Sequence, residues 1–265
     1  MAKRVVTRRR RAAELRAEGL SLRQTAELLK VSFKTVHRDL AEWDQTHPNQ
    51  AAAACQKQGQ NDTADCRLGD FRTTLSDLIP GSVDAVITDP PYPREYLPLW
   101  SDLGEHAAKW LKPGGILAAM SGQTHLPEVI MRLGEHLDYH WTVAYLTPGG
   151  QAVQVFPRNV NTFWKPVLIY RNGDGPKPEW FGDVTRSDVN DNDNRRQVGG
   201  GDRRWAQSES GMADLIRRLT RPGELIVDPF MGAGTTGVAA LALKRRFTGC
   251  EISAVDHATA AGRLS

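Results

Sequence analysis

Apolar residues along this chain gather into short runs that alternate with amphipathic stretches and with turns rich in glycine and proline. Val83-Asp84-Ala85-Val86-Ile87-Thr88 and Leu225-Ile226-Val227-Asp228 are dense enough to be strands buried on both faces, the pattern of a parallel sheet. Arg67-Leu68-Gly69 ends a further strand, and residues 116–120, 141–146, 166–170 and 246–252 read as others. Helical spacing of apolar positions falls between them, at 96–111, stopped by Lys112-Pro113-Gly114-Gly115, then at 127–137, in a run ending at Leu219, and at 238–244. Strands alternating with helices predict an α/β, Rossmann-like doubly wound sheet, and about 200 residues suit one such domain.

The first 45 residues follow a different pattern. A helix over 12–18 ends at Gly19, Ser21 caps a second over 22–30, and Val31-Ser32 turns into a third over 33–43. Leu15, Leu20, Leu22, Ala26, Leu29, Val31, Val36 and Leu40 would close one small core. Charge also sets this segment apart: residues 1–40 hold 11 Lys and Arg against 4 acids, a net of +7, which leaves −4 for the rest of a chain whose total is +3. Such asymmetry marks a nucleic-acid-facing end. Residues 46–65, rich in Gln, Ala, Asn and Asp and without an apolar period, read as a flexible linker. The expected organisation is therefore a small all-α domain at 1–45, the linker at 46–65 and the α/β domain at 66–265.

Two strand ends carry the candidate chemistry. Asp89-Pro90-Pro91-Tyr92 follows the first buried run, and open α/β sheets bind ligands at the C-terminal edges of their strands. The prolines lack an N–H and end sheet pairing, leaving a stiff turn with free carbonyls beside a carboxylate. Carboxylate and carbonyl make two acceptors suited to an amino group with two hydrogens to give, next to an aromatic face on which a base could stack. The second end is Asp228-Pro229-Phe230, followed by Met231-Gly232-Ala233-Gly234-Thr235-Thr236-Gly237 and a helix. This is a cradle whose backbone N–H groups and close approach receive a nucleotide-like ligand. Glu251 ends the next strand 19 residues after Gly232, near the spacing at which an acid accepts hydrogen bonds from ribose hydroxyls. With 28 residues after Gly237, too few to finish a dinucleotide domain, the cofactor unit must close a sheet begun upstream.

Asp-Pro-Pro-Tyr upstream of Asp-Pro-Phe-x-Gly-x-Gly-Thr-Thr, with Gly249-Cys250-Glu251-Ile252 after it, resembles the permuted β-class amino-methyltransferases of DNA over residues 66–265. The resemblance implies the S-adenosylmethionine-dependent methyltransferase fold, circularly permuted and with a mixed sheet of seven strands, with S-adenosyl-L-methionine as cofactor and methyl transfer to adenine N6 or cytosine N4. It implies that Asp89 and the Pro90 carbonyl, in the turn shared with Pro91, hold the target amino group while Tyr92 stacks on the extruded base. The methyl donor would lie on Asp228, Pro229, Phe230, Gly232 and Gly234, with Thr235 and Thr236 supporting that turn through side-chain hydrogen bonds. Glu251, beside Ile252, would take the ribose, and Asp70 would stand near the adenine ring. Ser208, the N-cap of the helix running to Leu219 with Gly211 at its third position, lies in a stretch assigned to cofactor contact, where the family often has a Lys-Pro pair. The first 45 residues resemble helix-turn-helix domains whose third helix enters the major groove, which makes Lys34, Thr35, His37 and Arg38 the candidates to reach DNA.

Asp at the head of the first motif favours adenine, since cytosine-N4 relatives more often carry Ser there. Site-specific adenine-N6 methylation of DNA, in a restriction-modification setting, is the expectation; cytosine N4 and a catalytically inactive DNA-binding regulator are the alternatives. Protein-glutamine methyltransferases place their cofactor glycines before a similar motif, and here they follow it. Cys55, Cys66 and Cys250 show no metal spacing, and none follows a proline as the nucleophile of ring-carbon methyltransferases does. Residues 149–165, with Phe156, Arg158, Asn159, Asn161 and Trp164, and 182–204, with its arginines and Gly199–Gly201, read as mobile surface loops. One of them should touch DNA, and the second should be poorly ordered without it. No apolar run is long enough to span a membrane and no secretory signal is evident, so a cytoplasmic setting is expected.

Overall fold

The computed structural model describes residues 5, 7–12, 22–32, 35, 36, 38, 39, 64–146, 153–155, 158–176, 179, 181–186 and 208–265. The chain divides into two compact units, Met1–Asn61 and Asp62–Ser265. In the first, residues 7–12 are helical, so the first helix starts earlier than the expected 12–18, most of which lies outside the described residues. Helix α1 (Leu22–Leu29) stops at Lys30, whose φ of 53° takes the backbone out of the helical region. Ser32 Oγ then accepts from the Thr35 N–H at 3.1 Å, a cap for the helical residues after it. Ala12, Ala26 and Val36 are buried together, with Leu29 and Val31 packed on them, and Arg8 pairs with the buried Asp39. The expected core partners Leu15, Leu20 and Leu40, and the Leu22 side chain, lie outside the described residues.

The second unit holds strands β1 (Asp65–Leu68), β2 (Val83–Thr88), β3 (Leu111–Met120), β4 (Asp138–Leu146), β5 (Val153–Val155), β6 (Val160–Thr162), β7 (Trp164–Arg171), β8 (Val184–Arg186), β9 (Leu225–Asp228) and β10 (Arg246–Glu251). Among the described residues eight of them form one sheet, in the order β1-β10-β9-β2-β3-β7-β4-β8, one strand more than the seven expected. Only β7 runs against its neighbours within it. The additional strand is β8, a three-residue piece of the segment 182–204 that pairs with β4; residues 187–204 lie outside the described residues, as does the expectation placed on their order. The segment 149–165 is likewise more than a loop: Val153 and Val155 face Thr162 and Val160 in the β5–β6 hairpin, and β7 begins at Trp164.

Helices α2 (Phe71–Thr74), α3 (Leu97–Trp110) and α4 (Leu126–Gly134) cover one face of the sheet, and α5 (Glu209–Leu219), α6 (Thr235–Ala242) and α7 (Ala254–Leu264) cover the other. Strand β2 serves both: Val83 and Val86 join Trp100, Trp110 and Leu117, while Ala85 and Ile87 join Met120, Met212 and Ile216. A bulge makes that possible. Val83 pairs with Leu111 and Ala85 with Ile116, so residues 112–115 loop out of β3, which is why that strand starts five residues before the expected Ile116.

The strand order decides where the site lies. Strand β9, late in the chain, sits at the middle of the sheet between β10 and β2. The C-terminal ends of β1, β10, β9 and β2 therefore stand in a row, and each is within two residues of an acid: Asp70, Glu251, Asp228 and Asp89. No helix among the described residues is long and apolar enough to cross a membrane.

Candidate active site

Asp228 is buried to 2% exposure and its carboxylate is fully engaged. It accepts from Thr88 Oγ1 at 2.7 Å, from the Phe230 N–H at 3.1 Å and from the Thr236 hydroxyl. Burial pushes its pKa up to about 6; the three donors pull against that rise, and the charge of Asp89 adds to it. On the next strand, half-buried Asp89 accepts the Tyr92 hydroxyl. Burial first, and Asp89 second, hold the Tyr92 phenol well above its ordinary pKa. Pro90 is buried and Pro91 half-buried, and the Tyr92 ring lies on Gly122, where an added Cβ would come within 3.3 Å of it. The Lys165 ammonium stands 5.8 Å from the ring centroid, within cation–π range.

The glycine turn between β9 and α6 is left-handed at Gly232 (φ 50°) and Gly234 (φ 81°), a conformation that favours glycine. A Cβ at Gly234 would meet Ala260 and Leu264 of α7 at 3.0 and 3.1 Å, whereas at Gly232 it would meet nothing within 4 Å, so the space above the turn is open. Glu251 aims its carboxylate at this turn: Oε2 accepts from the Gly232 N–H at 2.9 Å and Oε1 from the Ser253 N–H at 2.8 Å. Two fixed N–H donors orient the group and leave lone pairs for further donors. Ile252 beside it is 73% exposed. Arg263 of α7 braces the turn from behind, donating to the Ala233 carbonyl at 2.6 Å and Thr235 Oγ1 at 3.3 Å, with Glu209 of α5 at 2.6 Å.

Asp70 caps α2 by accepting from the Arg72 N–H at 2.9 Å, and the Arg72 guanidinium holds its carboxyl below the usual range while reaching Asp102 at 2.9 Å. Phe230 packs at 5.1 Å on Phe71, which meets His106 and Trp110 edge-on. Buried Pro229 accepts a hydrogen bond from the Cys250 thiol at 3.4 Å. Ser208 is closed off: 1% exposed, it accepts from the Gly211 N–H at 3.1 Å as the N-cap of α5 and lies 3.1 Å from the Tyr145 hydroxyl. Burial pushes both the Cys250 and the Cys66 thiols up, away from reactive thiolate character, and Cys55 lies outside the described residues. In the first unit Thr35 bonds Ser32 through its hydroxyl at 2.8 Å and Arg38 is exposed; Lys34 and His37 lie outside the described residues.

Sequence reasoning overlooked Thr88, Arg72 and Lys165. A polar β-branched residue at the last position of an otherwise apolar strand was the available signal for Thr88; nothing local marks the other two.

Residues 169–261, which contain β9, the glycine turn, β10 and Glu251, match the family model N6_N4_Mtase, described as DNA methylase. Among solved structures the PvuII DNA methyltransferase (cytosine-N4-specific) is similar at a TM-score of 0.65 and 19% identity, over 77% of this chain and 86% of that one. The M1.HpyAVI–SAM complex is similar at 0.58 and 22%, over 76% of this chain and 100% of that one. The fold is that of the S-adenosylmethionine-dependent methyltransferases. A stretch of 45 residues is 47% identical to the Type II methyltransferase M1.MboII of Moraxella bovis, a match spanning 16% of this chain and 17% of that protein. The family match begins in β7, downstream of the Asp89 turn.

Proposed function

We propose that the chain is a site-specific DNA methyltransferase that moves a methyl group from S-adenosyl-L-methionine to adenine N6. The observation that carries this reading is the adjacency of the Asp89-Pro90-Pro91-Tyr92 turn and the open glycine turn on neighbouring strand ends, joined through Asp228. The cofactor fits the residues present: open space above Gly232 admits it, and Glu251, fixed by two N–H groups, has lone pairs left for ribose hydroxyls. Asp228, Pro229, Phe230 and Gly234 shape that cradle, Thr235 and Thr236 hold it in place, and Ile252 and Asp70 border it. Ser208 acts from behind, by fixing the start of α5.

When bound, S-adenosyl-L-methionine supplies an electrophilic methyl group on a sulfonium. The protein's part is to make a poor nucleophile competent. An exocyclic amino nitrogen is delocalised into its ring, and acceptors for both hydrogens, the Asp89 carboxylate and the Pro90 carbonyl, favour a more tetrahedral nitrogen with an available lone pair. Tyr92 stacks on the base once it has left the helix, offsetting part of an unstacking cost of a few kcal/mol. Asp89 is also placed to take the proton that the methylated nitrogen must lose. Positioning and preorganised acceptors supply the acceleration, with no covalent enzyme intermediate.

The first unit, read as a helix-turn-helix that reaches DNA through Lys34, Thr35, His37 and Arg38, would raise the local concentration of the catalytic unit on its substrate. A Type II methyltransferase among the relatives supports a restriction-modification setting. Cytosine N4 is the second reading, favoured by the cytosine-N4-specific PvuII enzyme among the structural neighbours; Asp rather than Ser at position 89 favours adenine. Labelled S-adenosyl-L-methionine with duplex DNA, followed by nucleoside mass analysis, decides between them. N6-methyladenine that vanishes in Asp89→Ala supports the proposal, and N4-methylcytosine moves it to the other base. Cofactor binding without transfer to any DNA would leave a regulator.

A further inference from the structure

We propose that Thr88 is a positioning residue for methyl transfer, setting the distance between the turn that holds the target amino group and the turn that holds the methyl donor. The inference rests on the function proposed above. Strands β9 and β2 pair at Ala85–Ile226 and Val86–Val227, and beyond that register they lead into the two turns. There the buried Thr88 hydroxyl donates to Asp228 Oδ1 at 2.7 Å across the gap. The same carboxylate accepts from Phe230 N–H, in the cofactor turn, and from Thr236, in the first turn of α6. One buried group thus ties three segments together, and Thr88 is its link to β2. Asp89, the next residue, has its own side chain on Tyr92, so the bond to Asp228 comes from the residue that carries no chemistry.

An in-line transfer is sensitive to such a link, because a displacement of about 1 Å at the reacting atoms costs on the order of 100-fold in rate. Ground-state binding of either partner depends on its own turn, and the spacing between them is felt in the chemical step. The titratable groups facing Asp228 are Asp89 on the β2 turn and Cys250 on β10, with Glu251 next to Cys250; α6 presents the Thr236 hydroxyl. Loss of the Thr88 hydroxyl removes one of the donors that favour the ionised carboxylate.

The test compares Thr88→Val, which keeps shape and removes the hydroxyl, with Thr88→Ser, which keeps the hydroxyl, in the full-length chain. Thr88→Val is expected to lower kcat by about 10- to 100-fold. Its KM values for DNA and S-adenosyl-L-methionine, and its calorimetric cofactor affinity, should stay within about twofold, because uniform binding is untouched. The acid limb of its pH–kcat profile should move to higher pH, and Thr88→Ser should restore both rate and profile. Thr88→Ala carries the same test if the valine variant does not fold. A kcat within about twofold of wild type would overturn the proposal, as would a loss confined to cofactor affinity or one that serine fails to restore. If wild-type protein binds the cofactor but methylates no DNA, the functional reading fails and takes this inference with it; active wild type with active Thr88→Val sinks the inference alone.

Discussion

Two Asp-Pro turns end neighbouring strands at the centre of the sheet, and their carboxylates live in opposite circumstances. Asp228 is buried, receives donors from three segments and has a pKa near 6, whereas Asp89, one strand away, is half-buried and accepts from its own turn through Tyr92. The same dipeptide on the same kind of strand end therefore supplies a buried brace in one place and a half-buried acid in the other. What separates them is the element that follows. After Pro229 the chain folds into a tight glycine turn and a helix whose Thr236 hydroxyl reaches the carboxylate; after Pro90 come a second proline, which ends sheet pairing, and Tyr92, whose hydroxyl donates to Asp89.

The contrast can be broken most directly at Asp89. Asp89→Ala should leave folding and cofactor binding intact and reduce kcat by at least about 100-fold, the scale of removing one preorganised polar partner, as read by steady-state methyl transfer. Asp228 should answer in stability instead. A carboxyl raised from 3.8 to about 6 in the folded state favours its protonated form there, so its contribution is full below pH 4 and is lost as pH rises through 6. Relative to non-titrating Asp228→Asn, wild type should lose about 2 kcal/mol of advantage between pH 4 and pH 7 in urea unfolding.

Tyr92 sharpens the comparison on the reactive side. Tyr92→Ala should weaken binding of DNA carrying an extrudable target base by roughly 10- to 100-fold, from about 1–3 kcal/mol of stacking, measured by fluorescence anisotropy. Tyr92→Phe should keep most of that affinity and release Asp89 from the hydroxyl. The smallest effect is expected at Ser208, where alanine removes the α5 cap for about 1 kcal/mol. That lowers the melting temperature of a unit this size by roughly 2–4 °C, with KM for the cofactor little changed.

Much of this was legible before any coordinates. Runs such as Val83–Thr88 and Leu225–Asp228 declare buried strands, and an acid closing such a run stands at the strand's C-terminal end, so the placement of Asp89, Asp228 and Glu251 at strand ends could be read directly. What escaped was set by distance along the chain. The Thr88 bond to Asp228 spans 140 residues, and no local pattern encodes it. Arg72 and Lys165 look like ordinary surface cations until the fold brings Asp102 and the Tyr92 ring beside them. Strand β8 escaped for another reason: three residues with one buried position, Thr185, inside a polar segment give no period to count. Ser208 was read correctly as a cap, but its 1% exposure and the Tyr145 hydroxyl 3.1 Å away, 63 residues earlier in the chain, are set by the fold.

The place of β9 also bears on how the protein comes into being. Its neighbour β2 leaves the ribosome far ahead of it, and β1 waits longer still for β10. Through that interval β2 has an open edge, apolar on both faces, with the hydrogen-bonding groups of a central strand and no partner on that side. Nascent chains of this topology accumulate exposed sticky surface and fold slowly once the missing strand arrives. The slot beside β2 is thus filled by a strand that begins 137 residues after β2 ends, a pairing of high contact order.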